Sequence, residues 1–343
     1  MRHARCCVRR VTRLTELWRD DAPGERRAAL TENGSIVEIH LQRELHVALG
    51  ACGTGRIDRK TPSGAYVAAD SGVELLVRGR TDVLEGERAL FEVTREAIAE
   101  PGRVKPGEAK LIEELPDPLV AQDALWERRM QALGAYLHRE LSIADAFDVA
   151  IAGASTIGDV TVSFQRTKAG LVFDVDGVGD PLAINIIAAR EIARLLRLYQ
   201  VGAMTMIDFI AVDSKAARQT IAEAFDSAAA LDRRPFERTA VNGYGMMQIV
   251  RARPRPSVLD QLFGTRIASL SDETQALWLL REASQSSGFG PRIVTARTPV
   301  ATLLASPQWQ RLRQDGERLA GAALEIVADD TLTGYGHVHV AQS

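Results

Sequence analysis

Hydrophobic and polar residues alternate one by one through GSIVEIHL (34–41), the period of a strand with one buried face. The same period recurs in GTGRIDRK, GAYVAADS, ELLVRG and RALFEVTRE, separated by turn residues roughly every ten positions. That spacing predicts a small barrel. The Pro- and Gly-marked EPGRVKPGEAK (100–110) then reads as its exit loop.

Helical periods follow. Asp117 and Pro118 form an N-cap and N1 pair, which predicts a long helix through LVAQDALWERRMQALGAYLHREL. TVSFQRT and LVFDVD read as strands. Asp180 and Pro181 repeat the cap, and Ile184, Ile187, Ala188, Ile192, Leu195 and Leu196 form one apolar helical face that Gly202 stops. AMTMIDFIAV is a strand carrying Asp208, and Asp213 or Ser214 caps KAARQTIAEAFDSAAALD. Asn242-Gly243 turns RTAV into MMQIVRAR. This β-α-β-α-β order predicts an α/β layer whose chemistry sits at strand ends. Beyond residue 263 the pattern gives a polar helix, the strand RIVTA, two further helices and the strand ALEIVAD.

At 343 residues the chain exceeds one ordinary core, and roughly two to four subdomains are expected. The composition, 46% hydrophobic and 25% charged, is that of a soluble globular protein, and no run approaches the roughly 20 apolar residues that span a bilayer. A net charge of -3 gives no whole-molecule attraction to nucleic acid, so a polyanion must be held by a local basic patch. Cys6, Cys7 and Cys52 are too few and badly spaced for a zinc site, and a reduced, cytoplasmic setting is the default expectation. The arginine-rich first 27 residues are expected to be a flexible extension or the product of an upstream start codon.

Three carboxylates stand at the ends of two apolar runs: Asp174 and Asp176 in LVFDVDG, and Asp208 in AMTMIDFIAV. If those strands are neighbours, each like-charged pair at about 4 Å repels by roughly 4 kcal/mol at an effective dielectric near 20. Such a cluster invites a divalent cation or a raised pKa; separated, the same residues are solvated strand ends. Arg251, Arg253 and Arg255 alternate toward a proline-rich loop, a pattern for holding phosphates or a solvated strand face. Tyr244, beside the turn glycines, is a candidate contact for such a polyanion or a residue that packs. His3, His40, His46, His138, His337 and His339 show no pairing with a serine or cysteine nucleophile.

The run NIIAAREIARLLRLYQVGAMTMIDFIAVDSKAARQTIAEAFDSAAALDRR, followed by NGYGMMQIVRARPRPSVLDQL, resembles the catalytic core of the ribonuclease E/G family, most densely from about 170 to 260. NGSIVEIHLQRE resembles that family's opening strand. The resemblance implies an α/β fold (α+β, several subdomains): an RNase H-like/DNase I-like catalytic core with an inserted small OB-type β-barrel. The implied boundaries are 1–27 extension, 28–46 with 111–160 RNase H-like, 47–110 barrel, 161–262 DNase I-like, and 263–343 an α/β tail.

It further implies that Asp174 and Asp208 bind Mg2+, with Mn2+ an alternative, and that Tyr66 stacks a base. Asp176 stands where the family has an asparagine that orients the attacking water. Departures are as informative. FGTRIASLSDETQ lacks the family's Cys-x-x-Cys, so no zinc link is expected. Lys110-Leu111-Ile112 replaces an Arg-Leu-Thr motif of a 5′-end sensor that is largely missing, and Gln248 replaces a glutamate. The implied activity is Mg2+-dependent endonucleolytic cleavage of single-stranded RNA to 5′-phosphate and 3′-hydroxyl ends, in a cytoplasmic protein with no membrane partner, a homodimer being one open state. The alternatives are an RNA-binding relative that does not cleave, and a small-molecule phosphohydrolase with a closed pocket instead of an open groove.

Overall fold

A computed structural model describes residues 15–116, 120–134, 136–138 and 142–341. The chain begins with β1 (Thr15–Ala22), β2 (Glu25–Glu32) and β3 (Ser35–Arg43), a meander in which Leu17, Trp18, Ala28, Ala29, Leu30 and Ile39 are buried. Residues 15–27 are therefore paired strand, not a flexible extension, and residues 1–14 lie outside the described residues. Arginine content misleads here because Arg26 and Arg27 are ion-paired to Asp123 and Glu25.

The barrel is β4 (Cys52–Thr61), β5 (Gly64–Ala69), β6 (Glu74–Arg78), β7 (Arg88–Arg95) and, after the short hairpin of β8 (Ile98–Glu100) and β9 (Arg103–Lys105), β10 (Gly107–Ile112). It closes in the order β10-β6-β5-β4-β7, with β10 parallel to β6 and antiparallel to β7. The expected exit loop is thus the fifth strand. Its alternation is short but real: Ala109 enters the barrel core, while Glu108 and Lys110 pair outward with Arg95 and Glu92.

The expected long helix is only α1 (Gln122–Gln131); Gly134, at φ 63°, lies beyond its end, and β11 (Tyr136–His138) joins β1 in parallel. The Asp117-Pro118 cap lies outside the described residues. After α2 (Ala144–Ala152) comes a six-stranded sheet of β12 (Ala154–Ile157), β13 (Val160–Arg166), β14 (Leu171–Gly177), β15 (Ala203–Asp208), β16 (Phe236–Arg238) and β17 (Met246–Arg251), ordered β12-β13-β14-β15-β17-β16. α3 (Pro181–Leu198) crosses from β14 to β15, and α4 (Lys215–Ala229) packs beside it.

Both helix caps are made by side chains: Asp180 accepts from the Ala183 N–H and Ser214 from the Ala217 N–H. Ile184, Ala188, Ile192, Leu195 and Leu196 bury against Phe173, Val175, Ile207 and Ile249, whereas Ile187 turns outward. α3 stops at Leu198, and left-handed Gln200 makes the turn before Gly202.

α5 (Val258–Phe263) and α6 (Asp272–Gln285) lead to a last sheet, β19 (Leu324–Ala328)-β18 (Arg292–Ala296)-β20 (His337–Val340), packed with α7 (Thr298–Ala305) and α8 (Gln310–Ala320). The molecule is α+β with a closed five-stranded barrel. Among the described residues no helix is long and apolar enough to cross a membrane.

Buried charge joins barrel to sheet. Asp260, 6% exposed, accepts from the Ser257 N–H and pairs with Arg166 at 3.2 Å and Arg253 at 2.8 Å. Arg166 also donates to the Ala99 and Gly264 carbonyls. Asp260→Ala leaves two buried guanidiniums undercompensated and is expected to cost about 3–5 kcal/mol; denaturant unfolding checks this, and a loss below about 1 kcal/mol contradicts it.

Candidate functional site

Alternation along β14 sends Phe173 and Val175 into the core and Asp174 and Asp176 to the opposite face. Among the described residues no helix covers that opposite face, and on it Asp208, Gln248 and Val250 are exposed. β14 and β15 are parallel with Asp174 directly opposite Asp208. Neighbouring strands lie about 4.8 Å apart, so the two carboxylates share one rim, with Asp176 two residues further along. Among the described residues no lysine, arginine or histidine forms an ion pair with any of the three. The Asp174 carboxyl is pushed above the ordinary range, first by partial desolvation, then by the charges of Asp176 and Asp208, against a lowering hydrogen bond from the Val175 backbone N–H.

Two devices fix the rim. Asn185, fully buried on α3, donates to the Ile210 carbonyl at 2.7 Å and accepts from the Ile210 N–H at 3.1 Å, clasping the chain two residues past Asp208. Sequence reading passed over it. The available signal was an amide adjoining the apolar stripe Ile184, Ala188, Ile192. The second device is the turn 242–245: Gly245 donates to the Asn242 carbonyl, and the Asn242 side chain accepts from the N–H groups of Tyr244 and Met246. Gly243 and Tyr244 are therefore the central residues, not Asn242 and Gly243. Gly245, at φ 88°, leaves no room for a Cβ, which would stand 2.1 Å from the Phe209 carbonyl oxygen. Because Met246 is the register partner of Asp208, this turn stands at the acidic end of the strands, and Tyr244 is 86% exposed there.

The remaining candidates are elsewhere. Tyr66 lies half-buried on the barrel, its ring 3.8 Å beneath the guanidinium of Arg59, which is held by Glu74. The arginines of the triplet are each paired with a carboxylate. β17 ends at Arg251, which is buried against Asp232; Arg253 pairs with Glu100 and Asp260, and Arg255 with Glu96. Arg251 is the register partner of Ala203, the far end of β15 from Asp208, about 17 Å away at strand rise. These guanidiniums link the sheet to its neighbours.

Among the described residues no group of three or more His, Cys, Asp or Glu side chains forms a ready metal cage. Paired carboxylates facing solvent suit a different ion. Mg2+ keeps several waters and takes one or two carboxylates plus substrate phosphate oxygens, and the Asp174–Asp208 pair, with its uncompensated charge, fits that donor set.

The sequence model of the Ribonuclease E/G family matches residues 174–254. Over this segment the chain is similar to the ribonuclease E/G family. A curated relative, the "Ribonuclease E/G-like protein, chloroplastic" of Arabidopsis thaliana, is 35% identical over 77 residues, which is 22% of this chain and 8% of the relative. The chain thus spans a small part of that relative's length. The ribonuclease E/G segment begins at Asp174 itself and contains Asp176, Asn185, Asp208, Tyr244, Arg251 and Arg253; Tyr66 and Arg255 fall outside it.

A raised pKa means that ionised Asp174 is less favourable folded than unfolded. Its penalty is absent where both states are protonated and grows as pH rises through the ordinary carboxylate range to the raised value. In metal-free protein, Asp174→Asn is expected to melt higher than wild type at neutral pH and equally at acid pH; a difference of the opposite sign overturns the electrostatic reading. Asn185→Ala strands two backbone groups, at about 1–3 kcal/mol each in unfolding free energy, measurable by denaturant titration.

Proposed function

We propose that this chain is a metal-dependent endoribonuclease that cuts single-stranded RNA. One observation carries the proposal: within the ribonuclease E/G segment, Asp174 and Asp208 stand in register on an open sheet face with no counter-cation among the described residues. An open face admits a polymer, whereas a small-molecule phosphohydrolase requires an enclosing pocket. Asp174 and Asp208 hold Mg2+, or Mn2+, which when bound lowers the pKa of water and offsets charge on a phosphate. Asp176 accepts a hydrogen bond from the attacking water and orients it. The water oxygen bonds to phosphorus as the P–O3′ bond breaks, leaving a 5′ phosphate on one product and, after protonation, a 3′ hydroxyl on the other. Tyr244, exposed at the same end of the strands, offers a ring for an adjacent base, and Tyr66 does so on the barrel.

The fold reading goes with this. Strand order β4-β5-β6-β10-β7, with only the β6–β10 pair parallel, supports an OB-type barrel. We assign β12 to β17 with α3 and α4 as DNase I-like, and β1 to β3 with β11, α1 and α2 as RNase H-like.

Incubation of a 5′-labelled unstructured RNA with increasing Mg2+ is expected to give metal-dependent endonucleolytic products. Asp208→Asn removes several kcal/mol of transition-state stabilisation, a loss of at least about a hundredfold in rate. Cleavage unchanged in that variant would remove the rim from the mechanism.

A further inference from the structure

A cavity of about 600 Å3 opens between β1 and β2, the start of α2 and helix α6, and shares no residue with the acidic rim. Trp18, Phe147, Trp278 and Tyr335 give it aromatic walls. The rings of Phe147 and Trp278 stack at 5.5 Å, Tyr335 meets Trp278 edge-on at 5.4 Å, and the Arg27 guanidinium lies 5.2 and 5.7 Å from the first two rings. This is a built wall with unused hydrogen-bonding capacity. Arg27 is 8% exposed, yet its Nη2 has no acceptor, and neither has the buried indole Nε1 of Trp278.

Charge narrows the ligand. Asp20 is taken by Arg281, but Asp148 and Glu282 line the same cavity with no cationic partner among the described residues. Uncompensated carboxylates repel a phosphate and accept from an amino group. Adenine and cytosine carry an amino group next to a ring acceptor on a flat face that stacks on aromatic walls, and the volume is in the range of small-ligand sites. We propose that this cavity binds an amino-bearing nucleobase, adenine or cytosine, from a free nucleoside or from an unpaired RNA strand.

Tryptophan fluorescence tests this, because Trp18 and Trp278 both line the cavity. The full chain, free of divalent metal, is titrated with adenosine, cytidine, uridine, adenosine 5′-monophosphate and a short oligoadenylate. Saturable quenching is expected with adenosine or cytidine, with uridine about tenfold weaker or more and the monophosphate no tighter than adenosine. Saturation by nucleoside assigns a free ligand, and saturation by oligoadenylate alone assigns a base within RNA. Ala144→Phe, at an exposed lining position, fills the cavity and is expected to abolish quenching without lowering Tm. Asp174→Ala is expected to retain it, so the outcome does not depend on the proposed nuclease. Absence of saturable quenching by every probe, quenching that survives Ala144→Phe, or tighter binding of the monophosphate than of adenosine overturns the assignment.

Discussion

The parallel register of β14 with β15 is the constraint on which the rest depends. It places Asp174 beside Asp208 at strand spacing, and the fold makes the pairing hard to relax. α3 is capped by Asp180 at its start and packed by Ile184, Ala188 and Ile192 against the sheet, and Asn185 clasps the chain just past Asp208. Like charges held this way are relieved only by a proton or a cation. The Asp174 carboxyl pKa is raised first by partial desolvation and then by this repulsion. Burying Phe173, Val175 and Ile207 fixes the register, and the register fixes the chemistry.

Positive charge has a second role, inside the molecule. Arg166, Arg253 and Arg251 are buried or nearly so and bind carboxylates or carbonyls that join the barrel hairpin and flanking turns to the sheet. Arginine suits this because its planar fork reaches several acceptors at once. Removing either partner leaves a buried charge uncompensated, so these links specify the relative placement of units more than they add stability. With the arginines so engaged and a net charge of -3, long-range attraction for a polyanion is weak.

Much of the fold was legible because local signals agreed with tertiary context. Ser214 caps α4, Asp180 caps α3, and the alternation in β4 to β7 predicts the barrel. The acidic pair was legible as polar residues ending apolar runs. The misses share a cause: partners distant in sequence. β1 reads as an arginine-rich tail until β2 pairs with it, and β10 reads as a loop until β6 and β7 enclose Ala109. The long helical period after residue 119 gives way because β1 recruits β11. Arg251, Arg253 and Arg255 alternate as a solvent face would, and only the fold reveals Asp232, Glu100, Asp260 and Glu96 opposite them. Asn185 is harder to read for the complementary reason: its partner is backbone, and only its place beside the apolar stripe of α3 marks it.

The central claim is that Asp174 and Asp208 share one divalent cation. Carboxyl ¹³C NMR of Asp174, titrated in pH with and without Mg2+, addresses it most directly. The account predicts a midpoint above the ordinary carboxylate value without metal and a marked downward shift when Mg2+ is added, with the Mg2+-induced shift lost in Asp208→Ala. A midpoint that is ordinary in metal-free protein and indifferent to Mg2+ would contradict it.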